Sequence, residues 1–273
     1  MDEDVEVIYD ESGFSSGAGV SPPKMPPLLI LASGEGKRLG SLEKNKGMLP
    51  VNGRPVLDHI VEHFAKSGVN RVIFAVGIKK EEVMTYFSGS KRYDSREVKF
   101  QYSISDSINQ TAGEIAKAWK FLKNEPCFFV HYGDTLTNIN VDDFVDAHKQ
   151  KGKTVTAPAM KEISTDSGVY IVNDEGDLVS FHEKPFLNDI APLRNTYSNV
   201  PIYLVSNKIW ENKDIAIGKD FNHDVVPKLL IKKEICLYHQ KDLWHFDVGD
   251  MKKYEMVCRA YENGNQSKLR KLG

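Results

Sequence analysis

Two kinds of residue in this 273-residue chain are spaced for chemistry on a phosphate. The first is basic. Gly34-Glu35-Gly36 runs straight into Lys37 and Arg38, and another cation, Lys46, precedes Met48-Leu49-Pro50-Val51. Glycine lets backbone N–H groups come close to an anion, and the cations neutralise it. Two familiar phosphate loops do not fit. A Walker A loop needs a glycine five residues before Gly36 and a Ser or Thr after Lys37, where Leu31 and Arg38 stand. A dinucleotide fingerprint needs a third glycine at Leu39. An ordinary glycine turn is the plain alternative. The second kind is acidic. The apolar run Cys127–Val130 ends abruptly in Gly133-Asp134-Thr135. Open α/β sheets hold ligands at the carboxyl ends of central strands, and hard cations such as Mg2+ prefer carboxylate oxygen. An aspartate that merely caps a turn is the alternative there.

Such residues need strands to carry them and helices to cover the strands. Leu28–Ala32 is an apolar run that delivers the glycine loop. Strand patterns follow at Arg71–Val76, Lys99–Ile104, Cys127–Val130, Thr154–Ala159, Tyr197–Val205 and Glu234–Tyr238. Helical patterns lie among them at Pro55–Ser67, Lys79–Phe87, Ala112–Leu122, Val141–Lys149 and Met251–Glu262. In Ala112–Leu122 the buried side is read as Ile115, Ala116, Ala118, Trp119 and Leu122. Ser167–Val172 and Leu178–His182 flank the turn sequence Asp174-Glu175-Gly176-Asp177 and read as a hairpin. Strands alternating with helices imply a three-layer α/β/α sandwich with a mostly parallel, Rossmann-like mixed central sheet. Residues 1–27 differ: an acidic start, then a Gly-, Ser- and Pro-rich stretch. They read as an arm ahead of a catalytic domain at 28–273, with Val5–Tyr9 as a short strand.

Weaker constellations are set against bland readings. Thr111 and Gly113 sit at a helix start whose N-terminus could face a nucleotide. His59 and His63 lie at i, i+4 on one helix, but no third ligand accompanies them, so a solvated pair is favoured over a metal site. The net charge of −2 lacks the basic excess of a general nucleic-acid binder. Three distant cysteines, Cys127, Cys236 and Cys258, point to reduced thiols and a cytoplasmic setting rather than disulfides. No apolar run approaches the ~20 residues of a membrane span, so no membrane partner is expected.

Taken in order, these stretches resemble the sugar-1-phosphate nucleotidyltransferases. Their signature is roughly Gly-Gly-x-Gly-Thr-Arg-Leu, a gap, then Pro-Lys-Pro-Met/Leu-Leu/Val-Pro-Val. Here it reads Ser33-Gly34-Glu35-Gly36-Lys37-Arg38-Leu39, then Asn45-Lys46-Gly47-Met48-Leu49-Pro50-Val51. Ser33 stands for the first glycine, Lys37 for threonine, and Asn45 and Gly47 for the prolines beside the lysine. Thr111-Ala112-Gly113 matches the core of Gly-Thr-Ala-Gly-Ala, with Gln110 for the first glycine and Glu114 for the last alanine. Glu183-Lys184-Pro185 matches a Glu-Lys-Pro element. Asn199-Val200-Pro201-Ile202-Tyr203 matches Asn-x-Gly-x-Tyr with proline for glycine, and DVVPKLL from Asp224 matches a helix beneath the sugar. Asp247-Val248-Gly249 matches Asp-x-Gly, although Asp250 replaces the threonine that follows.

The resemblance spans about residues 28–262 and implies transfer of a nucleotidyl group from an NTP to a sugar 1-phosphate, releasing pyrophosphate. It implies Arg38, Lys46 and Asp134 as catalytic. It implies Ala32, Ser33, Gly34, Glu35, Gly36, Lys37, Thr111, Ala112 and Gly113 at the nucleotide. Glu183, Lys184 and Asn199 would meet the sugar phosphate, and Asp134 with Asp247 would hold Mg2+. A regulatory subunit that has lost catalysis, and a cytidylyltransferase for a non-sugar alcohol phosphate, stay open. The base, the sugar and a homo-oligomeric state are also left open. No hexapeptide repeat follows Asp247, so no acyltransferase solenoid is expected.

Overall fold

The computed structural model describes residues 25–34, 45–77, 79–107, 109–161, 167–186, 190, 195–216 and 218–262. In chain order the strands are β1 Leu28–Ala32, β2 Pro50–Val51, β3 Arg54–Pro55, β4 Arg71–Val76, β5 Ser90–Tyr93, β6 Arg96–Ile104, β7 Cys127–Tyr132 and β8 Thr135–Thr137. They continue as β9 Val155–Met160, β10 Val169–Val172, β11 Leu178–His182, β12 Thr196–Asn199, β13 Ile202–Ser206, β14 Ile235–Tyr238 and β15 His245–Asp247. The helices are α1 Val56–Lys66, α2 Lys80–Tyr86, α3 Gln110–Lys117, α4 Trp119–Leu122, α5 Val141–Lys151, α6 Val226–Ile231 and α7 Met251–Glu262.

One sheet runs β11-β10-β12-β9-β13-β7-β1-β4-β6-β5, with β14 also against β9. Its centre, β7-β1-β4-β6, is parallel. From β13 outward the strands are mainly antiparallel, apart from β14 beside β9. The mixed α/β sheet expected from the sequence is therefore present. Side-chain alternation on β1 explains why its run is apolar throughout. Leu28 and Ile30 join a core that includes Val56, Ile60 and Phe64 of α1, while Leu29 joins a second core with Ala112 and Ile115 of α3. A strand covered on both faces has no polar side to show. Asn140 caps α5 by accepting from the Asp143 N–H, and Gly152 ends it at φ +61°.

Four expectations change. Ala112–Leu122 is not one helix: it divides at Ala118 into α3 and α4, and Trp119, expected on the buried side, is 45% exposed. Tyr197–Val205 is interrupted at Val200-Pro201. Asn199 pairs with Ala159, and continuing that register would set Leu204 against Thr154, yet Leu204 pairs with Thr156. His59 and His63 are neither solvated nor turned to a common ligand. They are half-buried, and their Nε2 atoms lie 2.8 Å from the carbonyls of Val51 and Ile139. Finally, Met25–Pro27 was read with the arm but joins the folded unit: Pro26 and Pro27 are buried, and the Pro27 carbonyl accepts from Phe129 N–H at 2.9 Å. The Val5–Tyr9 strand lies outside the described residues.

Candidate active site

At the carboxyl ends of β1 and β7 lies a cavity of about 270 Å³. Ala32, Ser33 and Gly34 form one wall, Lys46 and Asp134 another, and Thr111 and Glu114 of α3 a third. The two strand ends are held close. Gly133 N–H donates to the Leu31 carbonyl at 2.9 Å, and a Cβ on Gly133 would sit 2.9 Å from that oxygen. Glycine is needed where two backbones come this near.

Lys46 is positioned by its neighbours. Asn45 donates from Nδ2 to the Ala32 carbonyl at 2.7 Å and accepts the Gly47 N–H on Oδ1 at 2.9 Å. A Cβ on Gly47 would come within 2.6 Å of Leu57 Cγ and 2.8 Å of the Gly133 carbonyl. The two residues that replace prolines therefore form a matched pair: Gly47 fits under β7, and Asn45 supplies the acceptor its N–H requires. Lys46 Nζ then lies 3.9 Å from Asp134 Oδ2. Glu35, Gly36, Lys37 and Arg38 lie outside the described residues.

Asp247 reaches the same corner through a small ladder. β15 pairs antiparallel with β8, setting Asp247 against Thr135, and the Val248 N–H donates to the Asp134 carbonyl at 2.8 Å. Burial raises the Asp134 carboxyl above its usual range; Lys46 opposes the shift and Asp247 adds to it. Burial would also raise Asp247, but the ammonium of Lys253, 2.9 Å away, and the Gly249 N–H hold it below. The two carboxylates thus feel each other and are biased in opposite directions. Among the described residues no group of three or more His, Cys, Asp or Glu side chains is arranged around a metal position. Two neighbouring carboxylates nonetheless suit Mg2+, which uses one or two of them and takes its remaining ligands from phosphates and water.

Several expected ligands are placed elsewhere. The amides of Ala112 and Gly113 both donate to the Lys219 carbonyl, at 3.0 and 3.3 Å, and neither residue lies on the cavity wall. The N-terminus of α3 is thus capped by the chain itself. Thr111 is on the wall, but its hydroxyl donates to Asp220 Oδ2 at 2.9 Å and accepts the Phe221 N–H at 2.7 Å. Gln110 has φ +58°, which accounts for glycine at that position in the resembling pattern. Asn199 is buried. Tyr170 OH donates to its Oδ1 at 2.9 Å, and its Nδ2 donates to Tyr203 OH at 2.7 Å. It braces the core behind the site and does not face the cavity. Glu183 and Lys184 are not on the cavity wall either. Glu183 Oε2 is buried with no hydrogen-bond partner among the described residues, and its carboxyl is raised, chiefly by burial. Burial raises the Tyr132 phenol on the cavity wall, and the carboxylates of Asp220 and Glu183 add to the shift. Lys184 is exposed, with φ +46°.

Sequence reasoning did not single out Tyr132, Lys253 or Glu114 as site residues. Only Glu114 carried a signal, as a charged residue where the resembling pattern has alanine.

A parallel sheet centre with Gly34, Lys46 and two aspartates at its carboxyl edge defines an α/β protein whose crevice beyond the strand ends suits phosphorylated ligands. The chain belongs to the nucleotidyl transferase family, whose model matches residues 28–264. It is 31% identical over 233 residues to D-glycero-alpha-D-manno-heptose 1-phosphate guanylyltransferase of Campylobacter jejuni, covering 83% of this chain and 96% of that one. It is 28% identical over 240 residues to the Aneurinibacillus thermoaerophilus protein of the same name, covering 85% and 98%. Among solved structures, UDP-glucose pyrophosphorylase complexed with UDP-glucose shares the fold: TM-score 0.73, 18% identity, 88% of this chain and 99% of that one. The resemblance to sugar-1-phosphate nucleotidyltransferases is borne out.

Proposed function

We propose that this chain transfers a nucleotidyl group from an NTP to a sugar 1-phosphate, with a manno-configured heptose 1-phosphate as the leading acceptor. The names of the two relatives support that acceptor, and they favour a sugar over another alcohol phosphate. The observation that carries the reading is Lys46 beside Asp134 on the cavity wall, with Asp247 brought alongside by the β8–β15 ladder.

A phosphate oxygen of the sugar phosphate attacks the α-phosphorus in line. The new P–O bond forms as the α–β bridging bond breaks, and pyrophosphate leaves with the electron pair. The nucleophile is already ionised near neutral pH, so no general base is required. The barrier is the meeting of two anions, so positioning and charge neutralisation carry the catalysis. Lys46 neutralises the reacting phosphates, and Asn45 and Gly47 fix where it stands. Arg38 and the glycine loop hold the triphosphate. Asp134 and Asp247 would hold Mg2+, which when bound would supply positive charge to offset that of the reacting phosphates. The three free thiols support a reducing, cytoplasmic setting, and among the described residues no helix is long and apolar enough to cross a membrane.

The test is pyrophosphate release with Mg2+ and a panel of nucleotides against heptose, mannose and glucose 1-phosphates and phosphocholine. Turnover with a sugar 1-phosphate is expected. Turnover with phosphocholine alone, or none at all with a folded protein, overturns the reading.

A further inference from the structure

Glu114 stands out on the cavity wall. It is 2% exposed, yet it borders the space between α3 and the end of β1. Two neutral groups hold it there. Ser105, just beyond β6, donates its hydroxyl to Oε2 at 2.9 Å. Asn109, before α3, donates from Nδ2 to Oε1 at 3.1 Å. Both are as buried as Glu114 itself. Ser105 is in turn fixed by its N–H on the Val76 carbonyl at the end of β4. Among the described residues no ion pair to Glu114 is seen, and the lysines Lys46 and Lys80 pair instead with Asp134 and Asp106. Burying a carboxylate on two neutral donors is expensive, and a structural brace between α3 and β6 could use an uncharged amide instead. A carboxylate accepts about four hydrogen bonds. One is used on each oxygen, so each oxygen keeps an acceptor position.

From this placement we propose that Glu114 reads the base of the nucleotide and selects guanine, with Ser105 and Asn109 as its positioning residues. Guanine presents two donors side by side, N1–H and one N2–H, a match for the two oxygens of a carboxylate in the way a guanidinium is. The other bases do not. Uracil and thymine offer one N–H between two carbonyl oxygens, which a carboxylate repels. Cytosine and adenine offer one amino group beside a ring-nitrogen acceptor. Specificity then comes from attraction to one base and from an uncompensated buried charge against the others. The assignment rests on the nucleotidyl-transfer reading.

The experiment compares GTP, ITP, UTP, CTP and ATP by kcat/KM and, independently of turnover, by calorimetric binding to the intact protein with Mg2+. ITP is the informative probe, because it keeps N1–H and lacks the 2-amino group. GTP is expected to lead, with ITP lower by about 10–100-fold, the loss of one hydrogen bond to a charged group. Glu114→Gln offers a single acceptor and is expected to bring the GTP-to-ITP ratio to within a few fold. Ser105→Ala keeps the charge and loosens its placement, so it is expected to lower the same ratio part-way. It also serves if Glu114→Gln does not fold. Preference for UTP, CTP or ATP, or equal use of GTP and ITP by the unaltered protein, overturns the assignment. So does a Glu114→Gln protein weakened equally towards every nucleotide. Selective GTP binding without turnover on any sugar phosphate would instead remove the transfer reading and leave the base assignment standing.

Discussion

Lys46 Nζ and Asp134 Oδ2 face each other at 3.9 Å on the wall of the cavity. That is too long for a tight ion pair, and close enough for the lysine to pull the aspartate's raised carboxyl partly back. Phosphate oxygens entering the gap would find a cation on one side and a carboxylate suited to a metal on the other. Lys46→Ala is therefore expected to lower kcat by about 10²–10³, the cost of removing one aligned charge at a transition state. The KM for the nucleotide should rise far less. Steady-state pyrophosphate release separates the two, and a change in KM alone would make Lys46 a ground-state binding group.

Asp134→Asn separates chemistry from folding. Turnover is expected to fall at least as far as in Lys46→Ala, because Asp134 is one of the two carboxylates proposed to hold Mg2+. Stability should move the other way. A carboxyl whose folded pKa is raised favours the fold while protonated, and that gain disappears as pH rises through the folded value. Without metal, burial works against the ionised carboxylate, and asparagine carries no charge to bury. Thermal unfolding at pH 7 in EDTA should show a Tm no lower than that of the unaltered protein. A clear fall would mean that the carboxylate is a structural group.

The residues that bear charge at strand ends were legible in the sequence, because their backbone context is local. Lys46 and Asp134 each follow or precede a recognisable run, and both reach the cavity. Asn199 was not legible. Its neighbours match a sugar-contact pattern, but its amide is held by Tyr170 and Tyr203, partners that only the tertiary fold supplies. The same holds at Ala112 and Gly113, expected at the nucleotide: their amides donate to the carbonyl of Lys219, a partner far along the chain. Asn45 and Gly47 stand where the resembling pattern has prolines, and together they hold the turn: Asn45 accepts the Gly47 N–H, and Gly47 leaves room for Leu57 and the Gly133 carbonyl. A pattern scores positions singly, whereas this compensation is a property of the pair.

That pairing can be tested directly. Gly47→Ala would place a Cβ 2.6 Å from Leu57 Cγ and 2.8 Å from the Gly133 carbonyl, so something must shift. A cost of about 1–3 kcal/mol is expected from overpacking, together with loss of activity as Lys46 is displaced. Asn45→Ala leaves the Gly47 N–H and the Ala32 carbonyl without these partners and should lower kcat with a smaller change in Tm. Chemical denaturation and kinetics on both variants check this. Full activity in Gly47→Ala would mean that the position of Lys46 is not set by the turn.

Stability should also respond to pH through His148. Burial lowers its pKa from 6.5 to about 4, and its Nδ1 lies 2.8 Å from Thr156 Oγ1. The folded state holds the ring neutral, while the unfolded chain takes up a proton near pH 6.5. The stability is complete above that value and is lost between about pH 6.5 and 4, by up to about 1.4 kcal/mol per pH unit for one group. Urea denaturation at pH 7, 6 and 5 measures the slope, and His148→Gln is expected to make it shallower. An unchanged slope would place the titration elsewhere, for example at His131, which burial lowers to about 3.

The role of Asn199 separates two accounts of the sugar end of the site. If it touches the sugar phosphate, Asn199→Ala should raise the KM for that substrate and leave stability alone. The hydrogen bonds argue for the reverse. Tyr203 OH accepts from Asn199 and donates to Asn222 Oδ1, each at 2.7 Å, so one hydroxyl joins two buried amides. Tyr203→Phe removes that hydroxyl without removing any polar group near a substrate, and it leaves both amides short of a partner. A loss of about 1–3 kcal/mol is expected, the desolvation cost of an unsatisfied buried polar group. Asn199→Ala should lose a similar amount and also deprive Tyr170 OH of its acceptor. Because Asn199 and Tyr203 share one hydrogen bond, the double variant should lose less than the sum of the two single losses. Such a cycle, with a sugar-phosphate KM that stays within a few fold, makes Asn199 a brace. Additive losses accompanied by a large rise in KM would return it to the substrate.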